Sequence, residues 1–252
     1  LRRSRGLGDV YKRQTKYNKY TQYKTIDIKQ RDWPNNSLDK CPIWCSVDLR
    51  DGNQALAEPM DSVRKMKFFK KLVDVGYKEI EVGFPSASDT DFNFIRELIN
   101  DGHIPDDVTI QVLTQSREEL IIKTIDSLKG SKNAIIHLYN STSALQRKVV
   151  FKEDMNGVKK IATDGAKIIS DNIGILDNTN VRLEYSPESF TGTELPYALE
   201  VCEEVLDVWE ANELKPVIIN LPATVEMSSP NIYADQIEWM SKSFSDRKRI
   251  VL

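Results

Sequence analysis

Arg50 and Asp51 stand side by side immediately ahead of Gly52. A permanent cation and a carboxylate are thus set where glycine lets the backbone turn. Further along come Leu113-Thr114-Gln115, His137 and Tyr139, the triplet Glu184, Ser186 and Glu188, and then Asn220 and Thr224. An arginine, two or three carboxylates, a histidine and several hydroxyls, brought to one place, suit work on a small oxygen-rich anion. A guanidinium pairs with carboxylate oxygens and stabilises charge that develops on them. Asp51 can hold a hard divalent cation, but such an ion takes several more ligands, with neutral histidine the usual complement. The chain has two histidines, His103 and His137, which are not paired at i, i+2 or i, i+4. A metal site cannot be completed from the residues present. Each candidate also has a plainer reading. Arg50 and Asp51 can be a simple ion pair. His137, inside Ile135-Ile136-His137-Leu138, can be a satisfied core histidine. His103, next to Gly102, is assigned to the surface. Glu184 lies in Leu183-Glu184-Tyr185, where a carboxylate is costly to bury without a cation or metal partner.

The positions of these residues depend on the elements that carry them. From Pro42 onward, short β-rich runs alternate with long helical patterns. Strands are expected over 43–49, 79–84, 109–113, 134–139, 181–185 and 216–221, with a seventh beginning at 249. Helices are expected over 62–75, ending at Gly76; over 92–100, capped by Asp89 or Asp91; after a capping box of Ser116 and Glu119; over 152–169 and 194–211; and over 231–244, opened by Ser229-Pro230. Repeated β-α-β units imply parallel strands with helices outside. A doubly wound dinucleotide-binding sheet needs a glycine-rich turn after its first strand. The chain instead has Leu49-Arg50-Asp51-Gly52-Asn53-Gln54. Polar residues also alternate along the strands (Glu79 and Glu81, His137 and Tyr139), whereas a sheet buried on both faces favours continuous apolar runs. The expectation is an α/β fold, a (β/α)8 TIM barrel truncated at the start of its seventh strand. The candidate residues then fall at the C-terminal ends of the strands, where such barrels place their active sites.

The chain has 252 residues, 40% of them hydrophobic and 29% charged, with a net charge of −3. That composition excludes global disorder. No apolar run approaches the roughly 20 residues of a membrane-spanning helix, and with no apolar stretch in the first thirty residues a secretory signal is not expected. Three cysteines, Cys41, Cys45 and Cys202, fit a reduced, cytoplasmic setting. Residues 1–31 carry a charge of +8 and the remainder −11. The basic segment can bind nucleic acid or be a solvated tail; no nucleic acid and no membrane are expected as partners. Residues 1–14 share no pattern with the rest of the chain and are expected to be non-native or disordered, the more so because the chain begins with Leu. Residues 15–40 read as an N-terminal extension and 41–252 as a partial catalytic barrel.

The stretch Leu49–Gln54 with Lys65 downstream, the segment from Gly76 through Gly83-Phe84-Pro85-Ser86 to Ser88, the run Glu184-Tyr185-Ser186-Pro187-Glu188-Ser189, and Asn220-Leu221-Pro222-Ala223-Thr224 together resemble the α-isopropylmalate and homocitrate synthases, in particular the long-form 2-isopropylmalate synthases. The resemblance covers about residues 31–252. It implies a DRE-TIM metallolyase barrel that condenses acetyl-CoA with 2-oxoisovalerate to 2-isopropylmalate and CoA, the entry step of leucine synthesis. By position, Asp51 matches a metal ligand for Mg, Mn or Zn, the remaining ligands being expected beyond Leu252. Arg50 and Glu184 match catalytic positions, and Leu113, His137, Tyr139 and Thr224 match the oxoacid pocket. The resemblance further implies a homodimer in the full-length protein and an isolated chain that lacks activity. Homocitrate or citramalate synthase, and a non-catalytic short form that pairs with full-length subunits, are the alternatives.

Overall fold

A computed structural model describes residues 23–252. The segment 1–14 and most of the basic arm lie outside the described residues. Seven strands follow one another as β1 Cys45–Ser46, β2 Glu79–Gly83, β3 Thr109–Gln115, β4 Asn133–Ser141, β5 Asn180–Glu188, β6 Val217–Ile219 and β7 Ile250–Val251. Every pairing is parallel, and the spatial order is the chain order. Between them run α1 Ser62–Val75, α2 Asp89–Asn100, α3 Glu118–Ser127, α4 Met155–Asn172, α5 Leu195–Val208 and α6 Pro230–Ser243. The sheet curls: side chains from all seven strands line one interior cavity of about 490 Å³. This is the barrel arrangement expected from the strand pattern. Among the described residues no helix is long and apolar enough to cross a membrane, and the three cysteines are free thiols.

The period of two along the strands divides the molecule into two layers. Ile80, Val82, Ile110, Val112, Ile136, Leu138 and Tyr185 are buried in the apolar core shared with the helices. Their alternates, Glu79, Glu81, Gln111, His137, Arg182 and Glu184, line the interior. The core is therefore an apolar sleeve around a polar centre.

Local chemistry explains where elements depart from expectation. The first strand is two residues long and not seven. Ser46 Oγ donates to Asp48 Oδ2 at 2.7 Å, and the Val47 carbonyl accepts from the amides of Arg50, Asp51 and Gly52. These bonds compete with the strand ladder and wind Asp48–Gly52 into a π-helical turn. Arg50 and Asp51 thus sit on a turn and not on the strand end itself. Ser88, not Asp89 or Asp91, caps α2. The residue before α3 is Arg117; Ser116 Oγ instead donates to the Ile161 carbonyl of α4 at 2.5 Å. A Cβ on Gly165 would lie 2.0 Å from that oxygen, so glycine permits the close approach. The fourth helix starts at Met155 and not at 152, because Lys152 takes a left-handed conformation (φ 56°) and Asp154 caps the helix.

Asp91 is unavailable as a cap because it is engaged elsewhere. Lys65, fully buried on α1, pairs with Asp91 Oδ1 and reaches the Val82 carbonyl at 3.4 Å. Asp91 Oδ2 accepts the Phe84 amide at 2.9 Å. The carboxylate lies so close to β2 that a Cβ on Gly83 would approach its Cγ to 2.9 Å. This one ion pair locks the turn after β2 and places Phe84. Losing the anion strands a buried ammonium. Asp91→Ala is therefore expected to lower stability by about 3–5 kcal/mol, read from urea unfolding; a loss below 1 kcal/mol would count against the assignment.

Candidate functional site

Six of the seven residues singled out in the sequence meet at one cavity of about 550 Å³. Arg50, Asp51, Leu113, His137, Tyr139 and Thr224 all line it, alongside Phe84, Ser186, Glu188 and Asn220. The seventh, Glu184, lines the interior cavity, which shares Arg50, His137 and Asn220 with the first. They come from the turn after β1, from the middle of β4 (His137) and of β5 (Glu184) and from the C-terminal halves of β3 (Leu113) and β4 (Tyr139), with Thr224 in the loop after β6. His103 lies in the loop after α2 and lines neither cavity.

The residue that organises them is Glu81, which the sequence showed only as one of several alternating carboxylates. Its side chain is fully buried. Oε2 accepts Arg50 Nε at 2.6 Å, while Oε1 accepts His137 Nδ1 at 2.9 Å and Gln111 Nε2 at 3.2 Å. Burial works against this anion, but the bonds from His137 and Arg50 outweigh it and hold the carboxyl down at about 2. On its other side the imidazole Nε2 shares a hydrogen bond with Ser186 Oγ at 2.7 Å, and Glu184 Oε1 lies 3.4 Å away. Ser186 Oγ also accepts from Asn220 Nδ2 at 2.9 Å. Burial opposes the imidazolium, yet the charges of Glu184 and Glu81 prevail and raise His137 above its ordinary value. Glu184 is pushed up to about 7, chiefly by burial and against the pull of His137. Deeper in, Arg182 Nη1 pairs with Glu79 Oε1 at 2.5 Å. The interior thus holds three carboxylates against two guanidiniums, and a charged His137 restores the balance.

Arg50 spends Nε on Glu81 and Nη1 on Asp51 Oδ1, at 2.9 Å. Its Nη2 makes no hydrogen bond among the described residues. The simple ion pair with Asp51 is therefore real, but it is one part of a larger arrangement. Asp51 itself is open to solvent, with 64% of its side chain exposed. Thr224 Oγ1 accepts the Ser189 amide at 3.1 Å, which frees its hydroxyl hydrogen to donate to a ligand. Ser189 adopts a left-handed backbone (φ 59°), a strained state for a non-glycine residue that surrounding bonds must hold. Tyr139 packs edge-on against Phe84, with ring centroids 6.2 Å apart. Burial and then Glu188 raise its phenol above the usual range, so it remains a donor. Leu113, Phe84 and Pro222 supply an apolar wall.

No group of three or more His, Cys, Asp or Glu side chains that could hold a metal ion occurs among the described residues. Asp51 offers one carboxylate, too few donors to hold a divalent cation, which takes six or so oxygen ligands.

A family model described as HMGL-like matches residues 41–251. The chain belongs to the HMGL-like family. Eight similar relatives, 54–61% identical, are named 2-isopropylmalate synthase. One, from Parafrankia sp. (strain EAN1pec), is 61% identical over 93% of this chain and 42% of its own length. Another, from Clostridium acetobutylicum, is 57% identical over 94% of this chain and 43% of its own length. The chain therefore spans about two fifths of the length of these relatives. Among solved structures, the HMG-CoA lyase from Brucella melitensis superposes with a TM-score of 0.55 at 15% identity, over 79% of this chain and 66% of that one. At that identity the likeness speaks for the fold alone, and it agrees with the curled parallel sheet of this HMGL-like chain.

The pairing of Glu81 with His137 has a readable consequence. A histidine raised in the fold contributes stability that is fully present below pH 6.5 and is lost as pH climbs through its folded value. With two histidines in the chain, imidazole NMR can follow His137 individually. It is expected to stay doubly protonated above pH 6.5, and in Glu81→Gln its midpoint is expected to fall. An unchanged midpoint in the variant would remove Glu81 from the role assigned here.

Proposed function

We propose that the cavity above His137 binds a short 2-oxoacid and that this chain supplies the oxoacid side of the 2-isopropylmalate synthase reaction, in which acetyl-CoA and 2-oxoisovalerate give 2-isopropylmalate and CoA. The observation that carries the reading is the convergence of Arg50 and Thr224, two anchored donors with free edges, on a cavity that also has an apolar wall. The names of the relatives point to the same reaction.

In that reaction the methyl carbon of the thioester loses a proton and forms a bond to C2 of the oxoacid. The carbonyl electron pair moves onto the keto oxygen, and water later cleaves the thioester to release CoA. Arg50 faces the oxygen that gains charge. Its guanidinium is held in place by Glu81 before the substrate arrives, so little reorganisation is needed at the moment of reaction. Thr224 donates its hydroxyl to the substrate carboxylate, and Tyr139 adds a second neutral donor to the pocket. Leu113, with Phe84 and Pro222, receives the isopropyl group, a contact worth about 1–3 kcal/mol per methylene in discrimination. Glu184, with its carboxyl near 7, handles protons at neutral pH, where an acid–base group works best. His137 positions it.

A divalent ion would supply Lewis-acid polarisation of a keto oxygen. Asp51 would be one ligand, and the described residues do not complete the set. The reading extends to a cytoplasmic, homodimeric enzyme.

Calorimetry with 2-oxoisovalerate tests the pocket. Thr224→Val keeps the shape and deletes the hydroxyl. It is expected to weaken binding about tenfold, the equivalent of about 1.4 kcal/mol for one hydrogen bond to a charged group. Equal affinity in the two proteins would argue against this pose. The condensation itself is tested by thiol release from acetyl-CoA, using a polypeptide of the relatives' full length that carries this chain, with and without 2-oxoisovalerate.

A further inference from the structure

Ahead of the family region, which begins at residue 41, residues 23–33 lie across α6. The contacts are dense and specific. Arg31 makes a two-pronged pair with Asp235, Nε to Oδ1 and Nη2 to Oδ2, both at 2.8 Å. Trp33 Nε1 donates to the same Asp235 Oδ1 at 2.9 Å. The amides of Asp32 and Trp33 both reach the Glu238 carboxylate. Lys242 Nζ joins Asp32 Oδ2 at 2.7 Å and Glu238 Oε1 at 2.7 Å. Asp235 and Gln236 are only 4% and 2% exposed. Without these bonds, α6 would leave a buried carboxylate unpaired.

The far end of the segment reaches the loop after β5. Tyr23 Oη donates to the Thr191 carbonyl at 2.9 Å and accepts from Gln236 Nε2 at 2.6 Å. Thr191 belongs to the loop after β5, and its Oγ1 donates to the Val225 carbonyl at 2.7 Å in the loop after β6. These are the loops that carry Ser189 and Thr224, themselves joined by the bond from the Ser189 amide to Thr224 Oγ1. An unbroken series of hydrogen bonds therefore runs from α6 through Tyr23 and Thr191 to the residues beside Thr224.

We infer that residues 23–33 form a clip that holds the loops after β5 and β6 in register, with Tyr23 and Asp235 as its positioning residues. The clip keeps the strained Ser189 backbone, and with it the free Thr224 hydroxyl, ready for an oxoacid carboxylate. Neither Tyr23 nor Asp235 lines the cavity; both act through Thr191, Val225 and Ser189. The effect on oxoacid affinity rests on the function proposed above, whereas the effect on the loops does not.

Amide hydrogen exchange and calorimetry with 2-oxoisovalerate, on the whole chain, separate the two. Tyr23→Phe removes the hydroxyl alone. It is expected to speed exchange in peptides covering 187–193 and 221–227 about tenfold and to weaken 2-oxoisovalerate by several-fold, with β3 and β4 unaffected. Arg31→Ala is expected to do the same, and Arg31→Lys to recover part of the loss. If exchange rises only within 23–33 and α6 while affinity holds, the segment is a structural strap and the proposal fails. If the unaltered chain does not bind 2-oxoisovalerate, the functional reading fails, and the exchange in the two loops decides the clip by itself. Asp235→Asn serves as the second variant should Tyr23→Phe unfold.

Discussion

The carboxylate of Glu81 is the contact on which the rest of the site depends. It is sealed from solvent and shares its two oxygens between a guanidinium and an imidazole. An unpaired charge in such a place would cost several kcal/mol. The pairing fixes the poses of both partners at once. Arg50 comes from a turn outside the sheet and His137 from the middle of a strand, so the bond also couples the turn after β1 to the barrel wall. Around this contact the interior gathers Glu79, Glu184 and Arg182. The histidine is raised by the charges of Glu184 and Glu81, and Glu81 is lowered by His137 and Arg50.

The same logic recurs at the rim. Groups that face the cavity are held by residues that do not. Phe84 is placed through its amide on Asp91, and Asp91 is held by Lys65 beneath it. Thr224 is aimed by the Ser189 amide, and Ser189 occupies a backbone state that only its surroundings maintain. A rigid apolar sleeve makes this workable, since helices packed on the outer face of the strands leave the inner ends free to carry polar groups.

Much of this was visible in the linear chain. The alternation of apolar and polar residues in strands such as Glu79-Ile80-Glu81-Val82 reflects a pleat whose two faces meet different media, and it pointed to a barrel with a polar centre. That six of the seven candidate residues line one cavity was legible because the inner face of each strand and the turns that follow it recur at regular intervals along the chain. What failed was local. The first strand was drawn too long because Ser46 and the Val47 carbonyl compete for neighbouring groups, a contest that propensity does not register. Asp91 has the residue type and position of a helix cap, but Lys65 and the Phe84 amide engage it instead.

Sequence alone determined the parallel β-α repeat, the residues that end up on the inner face and the class of chemistry they suit, because period and residue type are properties of neighbours along the chain. The tertiary structure decided which carboxylate serves as the hub, that Arg50 and His137 share it, and that residues 23–33 reach the loops beside Thr224. Those facts rest on contacts between residues 31, 56 and 168 positions apart. A hydrogen bond of about 3 Å between such groups exists only once the sheet has curled and brought them together.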